Sequence, residues 1–247
     1  MLNIYAHRTH WCGIKEIQNT LEGMGMAIPA NFNLEVDIRF QHIHVTQGVS
    51  GEVIDKITPF ISHDPMTKKE NPFPLETMFA RFSDEFIHRK LTIAFHLKEG
   101  WLSNENIKEM KRLLRVYNVL RFFFFGFKNN SQKERWAKEF GWEQIADEIE
   151  TKKGKNTSKL VDEACLSKSK YTWVAELGGE MLQNRHWEKL RQNRKHIILV
   201  SPDVFSNDIT KFKDVVILAT EKIPLFDGIC TDHPTLFNQY SNGIKQT

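Results

Sequence analysis

Cysteine is scarce and badly placed for a scaffold. The chain has three, Cys12, Cys165 and Cys230, an odd number with no C-x-x-C spacing. That argues against a disulfide framework or a zinc knuckle and for reduced thiols in a cytoplasmic compartment. Long hydrophobic runs are missing too. The richest, VLRFFFFGF at 119–127, is far too short to cross a bilayer, and no apolar segment precedes Arg8 as a signal peptide requires. Neither stable membrane insertion nor signal-directed export is expected. An excess of charge of one sign is also lacking: 34 Lys+Arg face 31 Asp+Glu, a net charge of +3. No dedicated nucleic-acid surface is therefore predicted. The densest basic stretch, Lys152, Lys153, Lys155 and Lys159, reads as a solvated loop. Without an internal repeat, a low-complexity tract or an interdomain linker, residues 1–247 are expected to form a single domain.

What is present suits an α/β protein. Hydrophobic residues make up 40% and charged residues 26%, enough to bury a sizeable core. Short β-type runs alternate with longer amphipathic stretches. The runs are LNIYAH at 2–7, FNLEVDIRF at 32–40, PFISHD at 59–64, KLTIAFHLK at 90–98, RFFFFGF at 121–127, YTWVAEL at 171–177, HIILVSP at 196–202 and FDGICTD at 226–232. A further strand can hide in QIADEIE at 144–150. The spacing predicts a helix over 103–118 behind a Ser103 cap, with Ile107, Met110, Leu114 and Tyr117 on one face. A second is predicted over 131–140, where Ser131 and Glu134 have capping-box spacing. Repeated βα units imply a closed or nearly closed parallel sheet.

Several β-type runs end on groups that bind metals or move protons. His7 and Arg8 end the first, His63 and Asp64 end PFISHD, and His96 and Lys98 end IAFHLK. In LEVDI, Glu35 and Asp37 project from one strand face about 7 Å apart, opposite Leu34, Val36 and Ile38. Strand ends of a βα barrel converge on one face, so these residues are expected to meet. Paired carboxylates hold a hard divalent cation, and imidazoles serve as general acid and base near neutral pH. Arginine and lysine grip phosphate oxygens. Together the set describes phosphodiester cleavage better than acyl or hydride transfer.

AHR at 6–8, QNT at 18–20, LEVDIR at 34–39, SHDP at 62–65, LTIAFHLK at 91–98 and DGICTDHP at 227–234 resemble the glycerophosphodiester phosphodiesterase family of PLC-like phosphodiesterases. The resemblance covers most of the chain and is most specific in its first hundred residues. It implies a TIM (β/α)8 barrel of the PLC-like phosphodiesterase type and hydrolysis of a small-molecule phosphodiester. It places His7 and His63 at the two catalytic histidines, with His7 taken as base and His63 as acid. Glu35 and Asp37 fall on metal ligands, and Arg8 and Lys98 on phosphate-facing cations. The cofactor implied is a divalent metal, Mg²⁺ first, with Ca²⁺, Mn²⁺ and Zn²⁺ open. A lyase-type cleavage giving a cyclic phosphate, and a silent phosphate-binding barrel, are the competing readings.

The chain departs from the family pattern in three places. His96 stands where the family has a third acidic metal ligand; as a ligand it would favour Mg²⁺, Mn²⁺ or Zn²⁺ over Ca²⁺. Gln18 replaces the acid of E-N-T. Only about 35 residues separate His63 from Lys98, too few for the family's cap insertion, so a barrel without a large cap is expected. Other residues have plainer readings. The phenylalanines at 122–125 suit core packing, and Asp232 before His233 and Pro234 suits a helix cap. His10, Trp11 and Cys12 can line the mouth of the site, and Glu176 can supply a further acid.

Overall fold

The computed structural model describes residues 2–9, 14–47, 52–65, 72–100, 102–175, 182–201, 203–206 and 225–244. Its strands are β1 (Asn3–Ala6), β2 (Asn33–Gln47), β3 (Glu52–Ile61), β4 (Phe73–Pro74), β5 (Ile93–Leu97), β6 (Phe122–Phe125), β7 (Ala146–Glu150), β8 (Tyr171–Ala175), β9 (His196–Val200) and β10 (Gly228–Thr231). The helices are α1 (Leu21–Ala27), α2 (Leu75–Arg89), α3 (Asn104–Val116), α4 (Asn130–Phe140), α5 (Thr157–Leu166), α6 (Asn184–Gln192), the single turn α7 (Asp203–Ser206) and α8 (Pro234–Ile244). Among the described residues, no helix is long and apolar enough to cross a membrane.

Eight strands run parallel in the order β1-β2-β5-β6 and β7-β8-β9-β10, with β10 pairing back onto β1. Between β6 and β7 the pairing thins to one parallel bridge, Phe124 with Ile145. The strand suspected in QIADEIE is β7. The run PFISHD is not one of the eight: it ends β3, which pairs antiparallel with β2 from Ile38–Ile61 out to Gln47–Glu52. The pair forms a long hairpin whose strand β3 packs beside α2 and α3.

Alternation of side chains along each strand makes two kinds of core. Tyr5, Ala94, Phe123, Phe125, Ala146, Trp173, Ile198 and Cys230 point inward and pack on one another. Phe123 stacks on Tyr171 at 4.3 Å and Phe125 on Trp173 at 4.4 Å. Outward-facing Val36, Phe95 and Phe124 meet α2, α3 and α4 through Phe79, Met110 and Trp136. Val174, Leu199 and Ile229 meet α5, α6 and α8 through Val161, Trp187 and Phe237. The phenylalanine run is thus split between both faces of β6, as core packing requires.

Helix α3 begins where expected, with Ser103 Oγ accepting from Asn106 N and Asn106 Oδ1 accepting from Ser103 N. Its buried face carries Ile107, Met110, Leu113 and Leu114. Helix α4 corrects its expected cap: Asn129, not Ser131, accepts from Gln132 N at 3.0 Å. Starting the helix earlier leaves Trp136 and Ala137 in the core. Between His63 and Lys98 the described residues form β4, α2 and β5, without a cap insertion there.

Candidate active site

The sequence-predicted residues converge at the carboxyl ends of β1 and β5 and beside the parallel-paired stretch of β2, Leu34–Ile38. The first element is a tight 3-10 turn, His7–Thr9, in which Arg8 (φ 48°) and Thr9 (φ 58°) are both left-handed. Such a conformation costs a non-glycine residue roughly 1–3 kcal/mol and persists only where the surroundings impose it. Here the surroundings do. Arg8 N donates to Glu35 Oε2 at 2.9 Å, and Arg8 O accepts from Asn19 N at 2.6 Å. Helix α1 presses on the turn through Gly23, where a Cβ would lie 2.8 Å from Thr9 O. The strain turns His7 and the Arg8 backbone toward the carboxylates.

Glu35 and Asp37 are almost fully buried. Asp37 is ringed by donors: Lys98 Nζ at 3.0 Å from Oδ1, Arg8 Nε at 3.2 Å and Asn19 Nδ2 at 3.1 Å from Oδ2. Burial opposes its ionisation, but the charges of Lys98, His96, Arg8 and His7 outweigh it and hold the carboxyl down at about 2. His96 Nδ1 lies 3.5 Å from Glu35 Oε1 and 3.4 Å from Asp37 Oδ1. Its ring stacks on Phe125 with centroids 4.3 Å apart. Gly126 leaves room for that ring: at φ +85°, an added Cβ would sit 2.6 Å from His96 Cδ2.

The three side chains present ligand atoms within 4.8 Å of one another. Asp37 Oδ1, although near Lys98, is buried and accepts no well-formed hydrogen bond. A buried oxygen left short of donors, beside a second carboxylate and an imidazole, fits a divalent cation.

His7 is fixed from behind. Its Nδ1 donates to Asp232 Oδ1 at 2.7 Å, and its Nε2 lies 4.0 Å from Glu35 Oε2. Burial disfavours the imidazolium, but Asp232 and Glu35 more than compensate, so His7 holds its proton above the usual histidine value. Asp232 is therefore more than the helix cap read from its neighbours. It is held in turn by Asp203, whose Oδ2 accepts from Thr231 Oγ1 and Asp232 N, both at 2.8 Å.

His63 follows β3 on a segment fixed by Arg39, whose Nε and Nη2 donate to His63 O at 3.2 and 2.9 Å. Its ring Nδ1 lies 3.1 Å from Asp64 Oδ1. Partial burial and the charges of Arg8 and Lys98 push its pKa below the ordinary value despite Asp37. The two histidines are thus shifted apart, His7 toward its protonated form and His63 toward its neutral form, the states from which a general acid and a general base respectively act. This reverses the expected assignment.

No family model matches the chain, and no curated protein matches it. Solved structures do. A protein from Galdieria sulphuraria assigned as a glycerophosphodiester phosphodiesterase superposes with a TM-score of 0.69 at 14% identity, over 98% of both chains. One from Agrobacterium tumefaciens, assigned as a glycerophosphoryl diester phosphodiesterase, gives 0.63 at 14% over all of both chains. A glycerophosphoryl diester phosphodiesterase from Parabacteroides distasonis gives 0.61 at 10%, over 99% of this chain and 87% of that one. The chain has the glycerophosphodiester phosphodiesterase fold. At these identities the likeness establishes the architecture, and the chemistry must be argued from the side chains.

Within that glycerophosphodiester phosphodiesterase fold, His7, Arg8, Glu35, Asp37, His96 and Lys98 form one contact network, with His63 at its edge. Asn19 and Asp232 belong to it, and neither was singled out from the sequence for that place. His10, Trp11, Cys12 and Glu176 lie outside the described residues.

Proposed function

We propose that the protein hydrolyses a phosphodiester with the help of a divalent metal. The observation carrying this reading is the juxtaposition of Glu35, Asp37 and His96 with Arg8, Lys98 and His7 at one end of the strands. The names of the three structural neighbours support it. Glu35, Asp37 and His96 hold the metal, which when bound supplies positive charge against the phosphate oxygens. Two carboxylates with an imidazole suit Mg²⁺, Mn²⁺ or Zn²⁺ better than Ca²⁺.

The remaining work falls to the chain's own groups. Arg8 and Lys98 bind the non-bridging oxygens and offset charge that builds up at the transition state. His63, shifted toward its neutral form, takes a proton from the attacking water. As the phosphorus–oxygen bond to the alcohol breaks, His7, oriented by Asp232, gives its Nε2 proton to the departing alkoxide. The products are a phosphomonoester and an alcohol.

The test is turnover of glycerophosphodiesters and bis(p-nitrophenyl) phosphate with Mg²⁺, Mn²⁺, Ca²⁺ and Zn²⁺ in parallel. His7→Ala and His63→Ala should each lose about 10²- to 10⁴-fold in rate while unfolding near the wild-type midpoint. Near-normal rates in either variant refute the assignment. Phosphorus NMR checks the reaction type: a persistent cyclic phosphate means a lyase. Phosphate binding without turnover in any ion means a silent barrel.

A further inference from the structure

Asp203 is a buried acid that takes no step in that reaction. It follows β9 at the start of the α7 turn and is 1% exposed. Its backbone is pinned on both sides. Ser201 N donates to Cys230 O at 2.8 Å and Val204 N to Ser201 O at 3.1 Å, while the Val204 side chain packs on the interior cluster that holds Val200 and Cys230. A carboxyl placed this rigidly acts through whatever it touches.

What it touches is the stretch that carries Asp232. Its Oδ2 accepts from both Thr231 Oγ1 and Asp232 N at 2.8 Å, and Thr231 Oγ1 accepts from His233 N at 3.0 Å. One oxygen thus ties down three consecutive residues at the end of β10. The other, Oδ1, is buried and accepts no hydrogen bond among the described residues, so the fastening rests on Oδ2. Asp232 N donates to this side chain and not to a neighbouring strand, and Asp232 Oδ1 meets His7 Nδ1 at 2.7 Å. Without Oδ2 the buried Asp232 N–H loses its partner and the residue is free to turn. A displacement of about 1 Å at a proton-transfer group costs on the order of 10²-fold in rate.

We propose that Asp203 is a positioning residue for proton delivery: by fixing Asp232 it keeps His7 Nδ1 bonded and aims His7 Nε2 at the departing oxygen. This rests on the phosphodiesterase reading above, in which His7 protonates the leaving group. A proton donor matters most where the leaving group is a strong base. An alkoxide needs the proton, whereas p-nitrophenolate, a far weaker base, departs with little help. A residue that only supports the fold would slow both reactions alike.

The test compares wild type, Asp203→Ala and Asp203→Asn as full chains loaded with whichever ion supports turnover, on glycerophosphocholine and on bis(p-nitrophenyl) phosphate. Asp203→Ala should lose about 10- to 100-fold in kcat on glycerophosphocholine, several-fold less on bis(p-nitrophenyl) phosphate, and little in KM on either. Asp203→Asn should recover most of the loss, because its amide oxygen can accept from Thr231 and Asp232 as Oδ2 does. A second readout needs no turnover. In Mg²⁺-loaded protein the His7 Nδ1 proton, bonded to Asp232, should give a downfield proton NMR resonance that His7→Ala lacks. It should vanish or move upfield in Asp203→Ala and persist in Asp203→Asn. An unmoved resonance in Asp203→Ala overturns the proposal, as does a rate loss that is equal on the two substrates or falls on KM; both leave the phosphodiesterase reading standing. If Asp203→Ala does not fold, Thr231→Val, which removes one of the two donors to Oδ2, is read by the same criteria. If wild type turns over neither substrate with any of the four ions, the phosphodiesterase reading fails, and the resonance alone decides whether Asp203 holds the His7–Asp232 pair.

Discussion

Asp37 is the residue on which the site's electrostatics turn, and replacing it with asparagine gives a quantitative test. The amide keeps the shape and can still meet Asn19, but it removes the charge facing Lys98 at 3.0 Å and Arg8 at 3.2 Å. A carboxyl held at about 2 rather than its ordinary 3.8 contributes on the order of 2–3 kcal/mol of stability at neutral pH. Because the folded value is the lower one, the contribution is complete above the unfolded value. It is lost as pH falls through about 2, with about half gone at pH 3. Urea unfolding in the presence of a chelator, at pH 6 and in steps down to pH 3, measures it. Asp37→Asn should be less stable by about 2–3 kcal/mol at pH 6, with the gap roughly halved at pH 3. A negligible gap at pH 6, or one that does not narrow on acidification, refutes the claim that Lys98, Arg8 and His96 stabilise an ionised Asp37.

Three other substitutions probe neighbouring parts of the site. Gly126→Ala places a Cβ 2.6 Å from His96 Cδ2 and 2.7 Å from Leu97 O at φ +85°. It should lower stability by about 1–3 kcal/mol and weaken metal binding measured by titration calorimetry; unchanged metal affinity would show that the His96 pose is irrelevant to the ion. Asp232→Asn removes the charge that holds the His7 proton, so the His7 pKa followed by NMR should fall, and an unmoved titration would sink the dyad. His96→Glu exchanges a nitrogen donor for oxygen and should move metal preference toward Ca²⁺ and away from Zn²⁺. An unchanged order of ions means that His96 is not a ligand.

Most of the architecture was legible in the sequence because a buried parallel strand writes itself as a short apolar run. Six of the eight parallel strands fall within runs read as strands, β2 begins in its run but continues past Phe40 to Gln47, and the eighth, β7, was only suspected. Its sequence ADEIE holds three acids, and apolarity alone could not reveal it while the partners of Asp147 and Glu150, Lys133 and Lys152, were unknown. PFISHD was misplaced for a different reason. A strand running with its neighbours and one running against them look alike in sequence, and only the pairing of Ile61 with Ile38 separates them. His63 still falls near the site, because the hairpin returns the chain to Ile38, next to Asp37. Asp232 was read as a cap from its local context, Asp-His-Pro. Its bond to His7 joins residues 225 positions apart, a distance no local pattern reaches.

The exchange at position 96 fits the charges around it. Glu35 and Asp37 carry two negative charges, and Arg8 and Lys98 return two positive ones within contact distance. An imidazole at position 96 adds no negative charge to these four groups, whereas a third carboxylate would leave them negative before any ion arrives. A divalent cation entering the balanced cluster makes it positive by two, and a phosphodiester monoanion is then drawn toward a site still in need of negative charge. The transition state, carrying more negative charge on the same oxygens, is favoured further. The stacking of His96 on Phe125 and the bare backbone at Gly126 hold a flat ring in that position. The surroundings are thus shaped for the ring, as the proposed role of His96 as a metal donor requires.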